Sequence, residues 1–559
     1  MKKNLAESAK RIALMIAICL FVCSVVACTG AALADEVAED NSSALNVMTA
    51  QIRDMRDRQL QIDEMLLAEL NSGAYTLEEP LIIVDPYGFS PLTAVVLFKT
   101  EEPQNISIHI AGDTKLAEVD YTFEGYNTDH MIPVYGLYAS RENQVTLTAQ
   151  DQNGTRQTVD LIVETDQLPD QLSHEKIEAT LFNEEKYQPG FTFTYRGNND
   201  RITRSALDVN GDYRWCFNLK GNEPLLAKSV GNGGSYNNGN SIFIAVGSLL
   251  YGDTGILEFN LLGKLLNAWY SVYGQHHDIA LKDDCLWITG TTDENSKEDM
   301  IYCLDRKTGE LLKVIDYNNI LQKNRNQLKN YPKAYGEYYT DIDWVHINSI
   351  DFIGDNVVIS SRNQSTVVCN DQEGNIKWML CDPAGYNKQY KQYMLKSVGK
   401  NFFWPYTQHA ADVLPDQDGN PDTVDILLFD NGNFRLSDKK KASHMIQYRI
   451  NEKEMTVQLI WSWGEDRKEL YSMVRGDADL LENGNRLGSF EPRKTKKQVC
   501  YAHGVEVDEQ GEPVWEITRR NEDETGKYCE YRLERLLIYA EAANDLSLGV
   551  PANLFLPEE

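Results

Sequence analysis

Apolar residues recur at helical spacing between Ser43 and Leu70. They are Leu45, Met48, Ile52, Met55, Leu60, Ile62, Met65, Leu66 and Leu70, and mainly polar residues such as Asp, Arg and Gln lie between them. This pattern predicts an amphipathic helix. The turn-forming residues Asn71-Ser72-Gly73 are expected to end it. We interpret residues 35–74 as a helical linker that acts as a spacer, a docking element or a dimerisation helix, the last of which would make the protein a homodimer.

From residue 75 to about residue 170 the pattern changes to short β-branched segments. Examples are Leu81-Ile82-Ile83-Val84, Ile106-Ser107-Ile108-His109-Ile110 and Val145-Thr146-Leu147-Thr148, with Pro, Gly and Asn between the segments. Such segments are typical of antiparallel strands joined by turns. We therefore predict a small N-terminal β-sandwich domain over residues 75–170.

The remaining residues, 171–559, repeat one unit. A polar turn containing Gly precedes a tryptophan at four places: Asp208–Gly211 before Trp215, Asn260–Gly263 before Trp269, Asp371–Gly374 before Trp378 and Asp508–Gly511 before Trp515. Looser copies occur at Asp305–Gly309 and at Asn451–Glu454 before Trp461. Hairpins repeated at spacings of tens of residues are typical of propeller blades. The pattern predicts an all-β protein with a six-bladed β-propeller.

A second set of strand pairs lies between these hairpins. The pairs run from His277 to Thr289, from Asn348 to Ser361, from Ala411 to Asp430 and from Asp477 to Phe490. The innermost strand of each propeller blade lines the central channel, so residues at the starts of these pairs should converge although they are distant in sequence. Candidate functional residues are therefore sought there.

Composition and charge narrow the function classes. The chain has 559 residues with 42% hydrophobic and 25% charged residues, which is typical of a globular protein. Its net charge is −30, and because the first 34 residues carry +3 (Lys2, Lys3, Lys10 and Arg11 against Glu7), the rest carries −33. Such a surface disfavours nucleic-acid binding, and an anionic substrate needs a local positive pocket.

The N-terminus has the pattern of a secretory signal over residues 1–34. A basic stretch to Arg11 is followed by an apolar run from Ile12 to Ala27 that is short for a membrane span. Val25-Val26-Ala27-Cys28 fits a lipoprotein processing site, whereas Ala32-Leu33-Ala34 fits cleavage for free secretion. The protein is predicted to be exported, either as a lipoprotein anchored in the membrane at Cys28 or as a periplasmic or extracellular protein.

The cysteines and acidic residues suggest no metal site or cofactor. Seven cysteines follow Cys28, scattered and without a Cys-x-x-Cys spacing: Cys216, Cys285, Cys303, Cys369, Cys381, Cys500 and Cys529. We interpret them as small buried apolar residues, although export permits disulfides. The sequence also has no Asp, Glu and His cluster at ligand spacing.

Four segments at the ends of apolar strands contain side chains that are common in active sites. They are Gln275-His276-His277-Asp278, Asp343-Trp344-Val345-His346-Ile347-Asn348, Ser360-Ser361-Arg362-Asn363 and Thr407-Gln408-His409-Ala410. Imidazoles can act as nucleophiles or proton carriers near neutral pH, and a guanidinium offers a fork of donors to an oxyanion. Together they predict a pocket for transfer of an anionic group.

These segments resemble the bacterial arylsulfate sulfotransferase family, in which a sulfuryl group passes from an aryl sulfate to a phenol without a nucleotide donor. The His-x-Asn pair, the Ser-Ser-Arg strand end and the Gln-His pair occur in the family order, and the resemblance runs from about Tyr75 to near the C-terminus. Asp85-Pro86-Tyr87-Gly88 resembles the family's N-terminal immunoglobulin-like domain. The resemblance implies aryl sulfate donors and phenolic acceptors as substrates.

The resemblance also implies residue roles. His409 matches the nucleophile that forms a sulfohistidine, while His346, Asn348 and Arg362 match the residues that hold the sulfuryl oxygens. The remaining histidine of the family falls on the pair His276 and His277, both of which stay candidates. A close cysteine pair found before the nucleophile in some members is absent here.

Other candidates and functions stay open at this point. Ser472 and Arg475 precede a later inner strand and could reach the channel, and the aromatic run from Phe402 to Tyr406 could either stack on an aryl ring or pack as a strand. Water could replace the phenol, which would make the protein an aryl sulfate hydrolase. A ligand-binding propeller without catalysis is the non-enzymatic alternative.

Overall fold

The structure, a computed structural model, describes residues 41–198, 201–219, 236–237, 241–249, 252–292, 296–323, 325, 342–433, 435, 442–494, 499–521, 530–540 and 543–557. The segment predicted to be a secretory signal, residues 1–34, lies outside this range. Among the described residues, no helix combines the length and the apolar character needed to cross a membrane.

The amphipathic segment forms one long helix, Asn41–Asn71. Its apolar face, which includes Met48, Ile52 and Met55, is buried in a core shared with the N-terminal domain and the first two propeller sheets. Two polar residues fix it further: Gln59 donates to the carbonyl of Gly263 at 2.8 Å, and the buried Asp63 pairs with Lys264 at 2.5 Å. The helix therefore docks onto its own chain.

The N-terminal domain is a small antiparallel sandwich. Its strands are Leu81–Val84, Ala94–Ile110, Val119–Thr122, Asn127–Val134, Glu142–Gln150 and Arg156–Glu164. The long strand Ala94–Ile110 belongs to both sheets: its first half pairs Ala94 with Val134, and its second half pairs Ile108 with Leu147. One continuous strand thus joins the two layers. A short helix, Asp170–Ser173, leads into the propeller.

Six sheets of four or five strands follow, and we number them as blades 1 to 6. Their strands are antiparallel except for the outermost strands Asn553–Phe555 and Lys396–Val398, which pair in parallel. Blade 1 contains Phe191–Asn198, Arg201–Leu207, Tyr213–Asn218 and Glu530–Leu536. Blade 2 contains Tyr236–Asn237, Ser241–Leu249, Gly252–Asn260, Leu265–Gln275 and Asn553–Phe555. Blade 3 contains Ile279–Lys282, Cys285–Gly290, Met300–Asp305 and Leu311–Asp316.

Blade 4 contains Ile347–Ile353, Asn356–Ser361, Thr366–Asn370 and Ile376–Leu380. Blade 5 contains His409–Val413, Thr423–Asp430, His444–Asn451, Thr456–Trp463 and Lys396–Val398. Blade 6 contains Asp477–Leu480, Arg486–Phe490, Ala502–Val507, Pro513–Asn521 and Glu175–Leu181. A separate pair joins Arg493–Lys494 to Val499–Cys500. The predicted all-β fold with six blades is confirmed.

A strand from each end of the propeller domain pairs with a blade formed mainly by the other end. Glu530–Leu536, near the C-terminus, is the innermost strand of blade 1 and pairs with Phe191–Asn198. Glu175–Leu181, near the start of the domain, is the outermost strand of blade 6 and pairs with Pro513–Asn521. Pairing at both ends locks the first and last blades and covers strand edges that would otherwise be exposed.

The tryptophans that follow the repeated turns form hydrogen bonds between neighbouring blades. Each indole Nε1 donates to the outer hairpin of the next blade: Trp215 to the Leu261 carbonyl at 2.9 Å, Trp378 to a Glu452 carboxylate oxygen at 2.8 Å, Trp461 to the Glu509 carbonyl at 3.1 Å and Trp515 to the Val209 carbonyl at 2.8 Å. Trp269 makes the same bond to Arg306 at 3.2 Å. The motif therefore ties neighbouring blades together.

Acidic and hydroxyl side chains tie the innermost strands in a comparable way. Asp278 in blade 3 accepts from the Ile350 N–H in blade 4 at 2.9 Å, and Asp351 in blade 4 accepts from the Val413 N–H in blade 5 at 2.6 Å. The starts of these strands are thereby held at fixed relative positions, which is what a preorganised site requires.

Of the cysteines, Cys303, Cys369 and Cys381 are buried and Cys285 is partly buried, and all four are free thiols. Cys529 lies outside the described residues. The thiols pack in the blade cores as small apolar groups.

Candidate active site

Histidines from blades 3 and 4 meet at the channel. The Nε2 atoms of His277 and His346 lie 3.2 Å apart, and the two ring centroids are 4.9 Å apart. Both residues precede the innermost strand of their blade and adopt left-handed backbone conformations, with φ of 61° and 54°. Such conformations are uncommon for non-glycine residues and often mark functional sites.

Two carboxylates that the sequence analysis did not single out surround this pair. Asp343 Oδ1 lies 3.0 Å from His346 Nδ1, and Glu298 Oε2 lies 2.6 Å from the same nitrogen and 3.1 Å from His277 Nε2. Although burial opposes it, the nearby Asp343 and Glu298 carboxylates raise the pKa of His346 to about 9. His346 is therefore an imidazolium at neutral pH.

His277 differs from its neighbour. Burial lowers the pKa of His277, and the positive charge of Arg362 acts in the same direction. Its Nδ1 lies 3.2 Å from the hydroxyl of Tyr531, which itself donates to the Asn348 carbonyl at 3.4 Å. The tyrosine hydroxyl can donate to or accept from Nδ1, whereas the Glu298 carboxylate 3.1 Å from Nε2 can only accept.

His409 begins the innermost strand of blade 5 and is buried. Its Nδ1 lies 2.7 Å from Asn431 Oδ1. The Asn431 amide is oriented by two donations from its Nδ2, to the Ser472 carbonyl at 3.0 Å and the Arg475 carbonyl at 2.7 Å. Because Oδ1 can only accept, His409 must donate from Nδ1, which leaves the lone pair on Nε2.

The electrostatics of His409 favour the same state. Burial lowers the pKa of His409 well below its usual value, and the Arg362 guanidinium contributes to the shift. The ring centroid is 6.2 Å from that of Tyr531, and the His277 ring centroid is 5.7 Å from the same tyrosine, so both histidines neighbour one aromatic ring. A neutral imidazole with a defined lone pair is a competent nucleophile.

Arg362 is fixed to the histidine pair through the backbone. Its N–H donates to the His346 carbonyl at 2.9 Å, and its guanidinium donates to Asn363 Oδ1 at 2.9 Å. The side chain is buried and close enough to influence both His277 and His409 electrostatically. A buried guanidinium among neutral imidazoles supplies the positive charge that an anion requires.

Asn348 and Gln408 join blades 4 and 5. Asn348 is fully buried and donates from Nδ2 to the Gln408 carbonyl at 2.8 Å, while its Oδ1 has no hydrogen-bond partner among the described residues. Gln408 Nε2 donates to Ser360 Oγ at 3.0 Å and to the Ser361 carbonyl at 3.2 Å. The glutamine of the Gln-His pair therefore positions the strand start that carries His409.

The two adjacent histidines have different surroundings. His277 contacts His346, Glu298 and Tyr531, as described above. His276 is buried, with Nε2 donating to the Gly290 carbonyl at 3.0 Å and Nδ1 without a hydrogen-bond partner in the described structure. Burial lowers the pKa of His276 to about 4. The structure thus places His277 in the cluster with His346, and His276 beside it.

The weaker candidates have mainly structural contacts. Ser472 and Arg475 orient Asn431 through their carbonyls, and Arg475 pairs with the buried Glu491 at 2.8 Å. Phe402 and Trp404 pack against the core shared by blades 4 and 5, and the Phe403 carbonyl accepts from the Tyr448 hydroxyl at 2.7 Å. The aromatic run is therefore a packed segment.

Sequence reasoning did not find four residues of the site: Glu298, Asp343, Asn431 and Tyr531. Asp343 had a detectable signal, because it precedes His346 by three residues in a segment already selected. Tyr531 had none, since its strand joins blade 1 from the far end of the domain.

A family model described as arylsulfotransferase matches residues 177–532, and a model of the arylsulfotransferase Ig-like domain matches residues 81–166. The chain belongs to the arylsulfotransferase family. It is accordingly an enzyme of the aryl-sulfate sulfotransferase class, and the Ig-like match agrees with the sandwich domain of the structure.

Two curated relatives of this arylsulfotransferase carry the name arylsulfate sulfotransferase AssT. The protein of Escherichia coli O6:H1 is 24% identical over 518 residues, covering 73% of this chain and 84% of the relative. That of Lelliottia amnigena is 24% identical over 519 residues with the same coverage. A solved member of the DUF4221 family from Bacteroides vulgatus is 10% identical with a TM-score of 0.30, covering 65% of this chain and 97% of its own.

Proposed function

We propose that this arylsulfotransferase works by a ping-pong mechanism in which His409 carries the sulfuryl group as a sulfohistidine. The observation that supports it most directly is the contact of His409 Nδ1 with the oriented Asn431 amide, which leaves the lone pair on Nε2 of a ring that the Arg362 charge helps to keep neutral. Arg362, His346 and the second Nδ2–H of Asn348 hold the sulfuryl oxygens.

In the first half-reaction, His409 Nε2 attacks the sulfur of an aryl sulfate and the bond from sulfur to the aryl oxygen breaks. The phenolate leaves with the electron pair of that bond and takes the proton shared between His346 and His277. In the second half-reaction, an acceptor phenol returns a proton to the pair while its oxygen attacks the sulfur, and the bond between nitrogen and sulfur breaks.

Glu298 and Asp343 act through the histidine pair in this scheme. They keep His346 protonated in the resting enzyme and preserve its orientation when its proton moves to the leaving group. Because each carboxylate is already hydrogen-bonded to an imidazole, its negative charge is partly compensated next to an anionic donor.

The test is transfer from 4-nitrophenyl sulfate to phenol. We expect 4-nitrophenol to be released only when phenol is present. Double-reciprocal plots of initial rate against 4-nitrophenyl sulfate concentration should be parallel at different phenol concentrations. Equal release without phenol would identify an aryl sulfate hydrolase. Saturable binding of 4-nitrophenyl sulfate without any release would identify a ligand-binding propeller.

The proposal extends to location, because the sequence of residues 1–34 favours export and Val25-Val26-Ala27-Cys28 favours a lipid anchor at Cys28. Metabolic labelling with a palmitate analogue should mark the wild-type protein and not Cys28→Ala. Equal labelling of both proteins, or of neither, would contradict the anchor and leave free secretion.

A further inference from the structure

The cluster of histidines and carboxylates at the site, formed by His276, His277, His346, Glu298 and Asp343, contains more potential metal-ligand atoms than sulfuryl transfer requires. One ring nitrogen of His276, one of His277 and a Glu298 oxygen lie within 4.8 Å of one another. His346 Nε2 adds a third imidazole nitrogen, 3.2 Å from His277 Nε2. Three imidazoles and one carboxylate form a ligand set that suits zinc and neighbouring transition metals better than calcium or magnesium.

The spacing of these atoms is close to that of a tetrahedral metal site. Zinc bonds of about 2.0 to 2.1 Å imply ligand atoms roughly 3.3 Å apart. The structure places His277 Nε2 at 3.2 Å from His346 Nε2 and at 3.1 Å from Glu298 Oε2. His277 Nε2 therefore has two potential ligand atoms at metal-site spacing. Glu298 Oε2 also lies 2.6 Å from His346 Nδ1, and a bound ion would replace that contact.

The second nitrogen of each imidazole is already occupied, which leaves the first one available. His276 Nε2–H donates to the Gly290 carbonyl, His277 Nδ1 lies 3.2 Å from the Tyr531 hydroxyl, and His346 Nδ1–H contacts Asp343 and Glu298. Metal-binding histidines characteristically donate their other N–H to a carbonyl or a carboxylate in this way. The unpartnered, buried Nδ1 of His276 points to the same interpretation.

We propose that His276, His277, His346 and Glu298 bind one divalent transition-metal ion of the zinc class, and that the bound ion blocks the sulfuryl subsite. The ion takes the place of the proton between His277 and His346, which is released on binding. The blocking of catalysis rests on the proposed function, because it requires His346 to hold sulfuryl oxygens. The binding itself does not.

Binding is tested on the full mature chain after treatment with a chelator and desalting. Equilibrium dialysis against ZnCl₂ should give one zinc per chain, and Co²⁺ should give the intense visible bands of a tetrahedral site. Glu298→Gln should weaken zinc binding by at least about 10-fold, and Asp343→Asn, which removes the partner of His346, by about 10- to 100-fold.

The control is His109→Ala, because His109, Glu118 and Asp120 form a separate exposed group of potential ligands in the N-terminal domain. This variant should bind zinc like the wild type. Absence of stoichiometric binding, or binding lost in His109→Ala and retained in Glu298→Gln, would overturn the proposal. Circular dichroism checks folding, and if Glu298→Gln does not fold, His346→Gln takes its place with the same expected loss.

The catalytic consequence is tested separately. One equivalent of zinc should inhibit transfer by the wild type, and a chelator should restore it. Zinc binding to His409→Ala should match that of the wild type, since His409 is not a ligand. Binding without inhibition would overturn the blocking claim. If no variant or wild-type protein transfers sulfuryl groups yet zinc binds, the proposed function fails and the metal site stands.

Discussion

The rim and the interior of the central channel carry opposite chemistry. At the rim, the carboxylates Glu298 and Asp343 are each paired with an imidazole. Further along the same inner strands, several carboxylates lie near Arg532, which pairs with Asp278 at 3.0 Å. These interior carboxylates are Asp278, Asp351, Asp412, Asp477, Asp479 and Glu534.

The pKa values follow this division. At the rim, the balance of charges yields a protonated His346 and a neutral His409. In the interior, burial and then the proximity of other carboxylates raise the pKa values of Asp412 and Asp479 well above their usual range. The rim therefore holds positive charge, whereas burial and mutual repulsion shift the interior carboxyl groups towards their protonated form.

If this comparison is right, rim substitutions should alter turnover and interior substitutions should alter stability. The largest effect is expected for His409→Ala, which removes the nucleophile and should reduce transfer by at least about 1000-fold. Thermal unfolding should stay near that of the wild type. Asp479→Asn is the matched interior control and should retain transfer within about two-fold. Comparable losses in both variants would remove the distinction.

Arg362→Lys should produce the next largest effect. The lysine keeps the positive charge but cannot present two parallel N–H groups to the sulfuryl oxygens, so kcat should fall by about 10- to 1000-fold. Steady-state kinetics with 4-nitrophenyl sulfate measure this change. An unchanged kcat would place Arg362 outside the pocket.

Asn431→Ala should show how strongly the orientation of His409 matters. Without the acceptor Oδ1, both tautomers of His409 become accessible, and transfer should fall by about 10- to 100-fold. Asn433→Ala is the control, since it removes a neighbouring buried amide that bonds Thr407 and Met473 without contacting His409. An equal loss in both variants would indicate general destabilisation.

The blades of the propeller could be predicted from the sequence more completely than the residues of the candidate site. The Asp-x-x-Gly turns and their tryptophans predicted six blades because each copy makes the same local hairpin and the same contact with the next blade. Site residues were predictable where several lie in one short segment, as His346 and Asn348 do. Glu298 and Asn431 were not, because they lie near the ends of neighbouring strands, 21 and 22 residues from the histidines they contact. Tyr531 was not, because its strand joins blade 1 from the far end of the domain.

The smallest expected effect concerns the interior and stability. Burial raises the pKa of Asp477 to about 6, with nearby Asp278 contributing and Arg532 opposing. This pKa exceeds that of an aspartate in the unfolded chain, about 3.9. The contribution of Asp477 to the free energy of unfolding is therefore fully present below about pH 4 and is lost as the pH rises through about 6. Wild-type stability should therefore decrease by about 2 kcal/mol between pH 4 and pH 7.5 from this group.

Asp477→Asn should remove that dependence. The asparagine Oδ1 can still accept a backbone N–H, while its Nδ2 can replace the carboxylate oxygen that has no partner within the described structure. Chemical denaturation at both pH values should show a variant that exceeds the wild type at pH 7.5 and matches it at pH 4. Identical pH profiles would mean that Asp477 is not the titrating group.

The central claim, that the rim holds a sulfuryl group on His409, is tested most directly by mass spectrometry of the enzyme after exposure to 4-nitrophenyl sulfate without any acceptor. The account predicts one added SO₃ group per chain, located by fragmentation on His409, removed by later addition of phenol and absent from His409→Ala. An adduct on another residue, or acceptor-dependent turnover by an enzyme that never carries SO₃, would contradict it.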